Sequence, residues 1–300
     1  MSASNVRIVD PRDAASKPTW RAYVELTKPR IIELLLITTV PAMVVAADGW
    51  PGTWLVIATL IGGTLSAGGA NAINQVIDRD IDALMRRTSG RPLPTARVGP
   101  RAALVFGIVL GVAGFGWLWA TTNLLAAALS TAGLLFYVLV YSMYLKRRTT
   151  QNIVIGGAAG ATPALVGWAA VTGSLALPAW IMFAIIFFWT PPHFWALSLR
   201  YRRDYRAAGV PMLPVVAGQP ATLDQIFLYS LVVAGVSLLL IPAVPMGLIY
   251  VAAAVTLGLI LIYGAVRLKQ EPDKAMRYFG YTNVYLAGVF VAMAVDRLVL

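Results

Sequence analysis

Nine apolar runs, at about 31–47, 54–77, 102–120, 123–145, 152–172, 177–199, 225–243, 245–266 and 280–298, leave this chain little choice of fold. Each is close to the roughly 20 residues that a helix needs to cross the hydrocarbon core of a bilayer. Only 12% of the residues are charged and the mean hydropathy is +0.74, whereas soluble domains carry about 25% charged residues. The pattern predicts an all-α membrane protein of nine transmembrane helices. No stretch between the runs is long enough to fold alone. Residues 1–300 are therefore expected to form one transmembrane domain, with 1–22 as a polar cytoplasmic tail.

The charges test that count. With the N-terminus in the cytoplasm, 23 of the 24 lysines and arginines fall in cytoplasmic segments, and only Arg297, beside Asp296, lies outside. Lysine and arginine are enriched in cytoplasmic loops, so the alternation supports both the count and the orientation. It predicts a multi-pass plasma-membrane protein with an extracytoplasmic C-terminus. The same rule accounts for the formal charge of +11, which is no argument for nucleic acid as a partner. Residues 1–20 are polar and the first apolar run begins near Ile31, so no cleavable signal peptide is expected. The chain has no cysteine and one histidine, His193. That excludes disulfides, thiolate zinc sites, cysteine nucleophiles and multi-histidine metal centres.

Polar residues inside a membrane are costly and usually functional. The second run ends in Asn71-Ala-Ile-Asn74-Gln-Val-Ile-Asp78-Arg-Asp80-Ile-Asp82. At 100° per residue Asn71, Asn74, Asp78 and Asp82 share one helix face, and Asp80 points away. Carboxylates one turn apart are hard oxygen ligands for Mg²⁺, which is commonly held by one or two carboxylates together with substrate phosphates. Asn74, Asp78 and Asp82 are the candidate metal ligands. The competing explanation is a solvated helix end, to which buried amides contribute nothing.

A second cytoplasmic region, 191–205, lies four helices further on and so at the same membrane face. If it is helical throughout, His193, Arg200 and Asp204 form one stripe, and Asp204 can meet Asp78 and Asp82 across a cavity. Three carboxylates in a basic surround would suit metal ions bridging to a diphosphate. Arginine forks and lysine point charges suit phosphate oxygens; the candidates are Arg86, Arg91, Lys146 and Arg147. Topology alone also predicts arginines at this face. His193 has three readings: a packing residue, a haem-iron ligand or a general base. The aromatic residues near the helix ends are expected as an interfacial belt.

Asn74-xxx-Asp78-xxx-Asp82 resembles the first motif of the UbiA superfamily of intramembrane prenyltransferases. Further blocks resemble the branch of that superfamily that farnesylates protohaem IX: Leu26-Thr-Lys28-Pro-Arg30, Lys146-Arg-Arg-Thr149 leading to Asn152-Ile-Val-Ile-Gly-Gly157, Gly167-Trp168, Pro191-Pro-His193-Phe-Trp195, and Asp204-Tyr-x-x-Ala-Gly-Val-Pro-Met-Leu-Pro214. The resemblance runs from about residue 24 to the ninth helix. It implies a UbiA-type fold around a central cavity, with farnesyl diphosphate and haem b as substrates, haem O as product and Mg²⁺ as cofactor. It implies Asp78, Asp82 and Asp204 as catalytic residues, His193 as a haem contact, and haem A synthase or oxidase-assembly proteins as partners. The wider superfamily often has a DxxxD pair in its second motif, whereas here Arg200 and Ala208 flank Asp204. Within the fold the alternative substrate is a quinone precursor or a chlorin. Outside it, the alternatives are a transporter, in which Asn71, Asn74 and Asp78 line an ion path, or a haem assembly factor.

Overall fold

In the computed structural model residues 19–300 are described, without the side chains of residues 30–36. The expected tail therefore lies outside the described residues as far as residue 18, as does the side chain of Arg30. Its last residues are not tail: Trp20–Thr27 forms a helix, α1, which buries Ala22 and Leu26. The other elements are α2 (Pro29–Ala47), α3 (Thr53–Ile77), α4 (Arg79–Leu84), α5 (Pro100–Thr121), α6 (Leu124–Leu135), α7 (Asn152–Thr172), α8 (Leu177–Arg200), α9 (Arg202–Ala207), α10 (Leu213–Val216), α11 (Gly218–Leu238), α12 (Leu240–Ala243), α13 (Leu248–Gln270) and α14 (Ala275–Val299).

Among the described residues eight helices are long and apolar enough to cross a membrane, and the ninth expected span, 31–47, falls on α2 (Pro29–Ala47). The expected runs and these helices agree to within a few residues, except that the α11 span begins at Gly218, seven residues before the expected 225, and the last span begins at Pro272, eight residues before the expected 280. The long helices form a ring. Each packs on the next in chain order, α14 closes onto α2, and α2–α7 and α8–α14 contacts fill the centre. The apolar core is largest where α2, α7, α8, α11, α13 and α14 meet.

α3, which carries the acidic motif, lies close against α5. A Cβ on Gly69 would stand 2.6 Å from the carbonyl oxygen of Gly107, and one on Gly114 would stand 2.9 Å from the nitrogen of Ser66. Small residues that let backbones approach are the usual way helices associate in lipid, where no hydrophobic drive is available. In α7, a Cβ on Gly167 would meet the Thr39 carbonyl at 2.6 Å, so the glycine-rich fifth span fits α2 for the same reason.

Two departures shape the functional end. α6 runs on as a π-helix over Phe136–Tyr144 and a 3₁₀ turn over Leu145–Arg147. The stretch from 191 to 205 is not one helix, because α8 ends at Arg200 and Tyr201 breaks it before α9. α4 and α9 nonetheless meet. Ile81 and Met85 pack with Tyr205, Val210 and Met212, as well as Tyr141 and Ile153, in an apolar cap over one end of the ring.

Candidate active site

α3 ends at Ile77, and Asp78 sits between α3 and α4 with φ −88° and ψ 3°. The helical hydrogen bonds run through this kink, from Asp78 N–H to the Asn74 carbonyl (2.9 Å) and from Asp82 N–H to the Asp78 carbonyl (2.8 Å). The polar face therefore stays on one side through Asp82. Asn74, Asp78 and Asp82 are all buried.

Each buried carboxylate has its own cation. Lys146 Nζ lies 2.5 Å from Asp78 Oδ2, and Arg91 donates to Asp82 Oδ2 at 2.6 Å. Asn74 joins the parts. Its amide nitrogen donates to Asp78 Oδ2 (2.8 Å) and to Ser142 Oγ (2.9 Å), and its Oδ1 accepts from Lys28 Nζ (2.7 Å). The π-helical stretch sets Ser142, whose hydroxyl donates to the Tyr137 carbonyl at 2.8 Å. Thr88 holds the far end through a bond to the Asp82 carbonyl (3.0 Å).

Lys28 is a site residue that the charge pattern alone does not single out. It lies in the left-handed region, with φ 54° and ψ 64°, at the junction of α1 and α2. Such backbone strain in a non-glycine residue persists only where the surroundings enforce it. Here Asn71 Nδ2 donates to the Thr27 carbonyl (3.0 Å) and Gln75 Nε2 to the Leu26 carbonyl (2.9 Å). Both carbonyls are orphans of the α1 C-terminus. Asn71 thus holds the turn that presents Lys28. Burial, and then the neighbouring Arg91 and Lys146, push the Lys28 ammonium well below its ordinary pKa. The signal in the sequence was Lys28 itself, immediately before Pro29 at the mouth of the first span.

The remaining candidates divide. Arg147 turns away from the site. It forms a two-pronged pair with Asp80 (2.7 Å to each oxygen) and donates to the Ile77 carbonyl (2.9 Å). That pair lowers the Asp80 carboxyl to about 2. Arg86 is exposed, while its neighbour Arg87 lies 5.8 Å from the ring centre of Tyr201 and so leans toward the second motif. Tyr205, in that motif, has its phenol pushed up by burial. Asp204 lies on α9, and among the described residues no three histidine or acidic side chains converge to hold a metal. The helix expected to carry His193, Arg200 and Asp204 as one stripe is interrupted at Tyr201, through which helical bonds still run, from Tyr201 N–H to the Leu197 carbonyl (3.2 Å) and from Tyr205 N–H to the Tyr201 carbonyl (3.1 Å). His193 stacks between Trp189 (4.2 Å) and Phe279 (4.3 Å). Thr282 Oγ1 donates to the Phe279 carbonyl (2.6 Å) and lies 2.7 Å from His193 Nδ1. Its one proton being used, it accepts from Nδ1–H, which leaves Nε2 with a free lone pair.

Two buried carboxylate oxygens, Asp78 Oδ1 and Asp204 Oδ2, lack a hydrogen-bond partner among the described residues. Leaving a charged acceptor buried and unpartnered costs more than leaving a neutral group so. An oxygen of this kind on Asp78, beside Asn74, fits a hard divalent cation. One turn below Asn74, a cavity opens between α3, α6 and α7. Its wall includes Asn71 and Tyr137 but is otherwise mostly small: Gly63, Ala67, Ala70, Gly133 and Gly160. The arrangement can hold a metal-bound anion at the membrane surface with an apolar tail beneath it.

A sequence profile of the UbiA prenyltransferase family matches residues 35–289, and the chain belongs to that family. Its relatives are more particular. It is 56% identical over 283 residues to a protoheme IX farnesyltransferase of Thermus thermophilus, covering 94% of this chain. The match spans 46% of that relative's length, so the chain corresponds to about half of it. It is also 56% identical to a protoheme IX farnesyltransferase of Gloeobacter violaceus, over 93% of this chain and 92% of that one. A solved UbiA homologue from Archaeoglobus fulgidus, bound to GPP and Mg²⁺, superposes with a TM-score of 0.66 over 93% of this chain and all of that one, at 14% identity. At that identity the likeness is one of fold.

Proposed function

We propose that this protein transfers the farnesyl group of farnesyl diphosphate to a vinyl group of haem b, forming haem O. One observation carries the chemistry: a buried carboxylate with an oxygen unpartnered among the described residues, bonded to Lys146 and Asn74, stands two helical turns along α3 from the wall of a largely apolar cavity. Kinship with the Thermus and Gloeobacter enzymes supports haem as the acceptor.

Asn74, Asp78 and Asp82 are the residues that would hold Mg²⁺, with Asp204 as a further oxygen donor. Magnesium, when bound, draws negative charge from the diphosphate and so eases its departure. Lys28, Lys146 and Arg91 release their carboxylate and amide partners to bind diphosphate oxygens, where charge grows as the bond from farnesyl C1 to oxygen breaks. Arg86 is exposed at the same edge and is a further cation for the diphosphate, whereas Arg147 is engaged by Asp80. The small-residue cavity takes the prenyl chain and keeps water from the allylic cation. The vinyl carbons of haem supply the electron pair that forms the new bond to C1. Water adds to the resulting cation, loses a proton and gives the hydroxyethylfarnesyl group, with diphosphate as the other product. His193 Nε2 is a lone-pair donor held in one tautomer, and it serves as the haem contact. The acidic-motif face is cytoplasmic, as soluble farnesyl diphosphate headgroups and Mg²⁺ require.

The test is a purified sample given haem b, farnesyl diphosphate and Mg²⁺, with mass analysis of the haem. Haem O is expected. Prenylation of an added aromatic acid instead would reassign the acceptor, and no prenyl transfer to either would overturn the reading.

A further inference from the structure

We propose that the groove between α13 and α14 binds the phosphate-bearing headgroup of an anionic phospholipid, in the leaflet on the acidic-motif face. The C-terminus of α13 and the N-terminus of α14 lie at that face, because each is joined to the site by an even number of crossings. Between them is a cavity of about 320 Å³ lined by Arg267, Lys274 and Arg277, with Tyr263, Tyr281 and Ile260 among the other walls. No acidic residue lines it. Glu271, at its rim, is shared by Arg267 and Lys274. Arg277 has no ion pair among the described residues. Three cations therefore meet one carboxylate in the ion pairs of the described residues, with Asp273 exposed beside Lys274 and unpaired among them, and the cluster keeps an excess positive charge.

The depth profile fits a lipid better than a soluble anion. From Arg267 to Ile260 along α13 the rise is about 10 Å, which spans headgroup to upper acyl chain. Tyr263 is 64% exposed and Ile260 49% exposed, so the lower groove is open and apolar. Tyrosine at this level is usual for a membrane interface. Basic pockets between helices at the cytoplasmic side are a known way to take acidic lipid headgroups. The groove lies across α14 from His193 and is not part of the transferase site, so this inference stands or falls apart from the proposed activity.

The experiment uses the whole protein in nanodiscs of phosphatidylcholine mixed with phosphatidylglycerol, with retained lipid counted by native mass spectrometry. Wild-type protein is expected to retain phosphatidylglycerol over phosphatidylcholine. Arg277→Gln should lower that preference about fivefold, and the Arg267→Gln, Lys274→Gln, Arg277→Gln combination further still. Arg277 is exposed and unpaired, so the single variant decides the matter should the triple variant fail to fold. Arg101→Gln, an exposed cation at the same face outside the groove, should leave the preference unchanged. An equal fall in Arg101→Gln would show diffuse surface charge and overturn the proposal. So would no fall in Arg277→Gln, or displacement of phosphatidylglycerol by millimolar inorganic phosphate, which would make the groove a site for free anions.

Discussion

Asn74 is the residue on which the site turns, since one amide group bonds to Lys28, Asp78 and Ser142 at once. If Asp78 binds the metal, Asp78→Asn should cut haem O formation by about a hundredfold or more, the order seen when a group that stabilises transition-state charge is removed. The protein should stay folded and membrane-inserted. Near-normal turnover would end the metal assignment. Asp80→Asn removes only a half-exposed pair on the opposite face, so it should keep activity within about threefold and cost at most about 1 kcal/mol of stability; Arg147→Gln removes in addition a bond to the Ile77 carbonyl and should cost somewhat more. The contrast between Asp78 and Asp80, two residues apart, is the sharper form of the test. For His193 the measurement is the haem absorption spectrum of the purified protein. His193→Ala should shift it, and an unchanged spectrum would leave His193 as a packing residue between Trp189 and Phe279. The sequence made the polar face of α3 legible because helical spacing alone puts Asn74, Asp78 and Asp82 together. It did not reveal which cation each acid takes. Lys28 and Lys146 reach the site from other helices, and Arg147, beside Lys146, points elsewhere because a 3₁₀ turn separates their directions.

At the scale of elements, the α3–α5 contact holds the acidic motif in register. Gly69→Val would force side-chain atoms into the Gly107 carbonyl and the Gly111 backbone. A loss of about 1–3 kcal/mol is expected, read as a fall in thermal midpoint and accompanied by lost activity as Asn74 and Asp78 move with their helix. A second interface has a polar seam: Ser230 with Tyr278 (2.6 Å) and Ser237 with Tyr285 (2.8 Å), each pair seven residues from the other on α11 and α14. Two irregular elements were not legible in the sequence. The π-helix at 136–144 has the composition of any apolar span, and its wider turn follows from its packing. The interruption at Tyr201 carries neither glycine nor proline, so nothing in the residues marked the helix expected through Asp204 as two pieces. In both places it is tertiary contact, with the cap of Ile81, Met85, Tyr205 and Met212, that overrides local pattern.

For the whole molecule, span positions were legible to within two turns or so, since length and hydropathy are set by the bilayer and do not depend on partners. The short α1 was not, because Trp20–Thr27 is amphipathic and far shorter than a span. Orientation can be checked directly because the chain has no cysteine. Ser89→Cys should react with an impermeant thiol reagent from the cytoplasmic side only, and Ser174→Cys from the opposite side only; both positions are exposed. Labelling of both from one side would refute the nine-span arrangement. The resting site also has a logic of its own. Asp78 Oδ2 is already matched by Lys146 and Asp82 by Arg91, so under the proposed function a diphosphate arriving alone would draw the cations away from two carboxylates, and a metal ion arriving alone would compete with those cations for the same carboxylates. Breaking a buried pair on one side costs about 3–5 kcal/mol, but when both ligands arrive every charge finds a new partner. Under the proposed function the enclosure would work as a coincidence detector, favouring metal and diphosphate as a couple over either by itself and closing back on its own pairs once the couple has left.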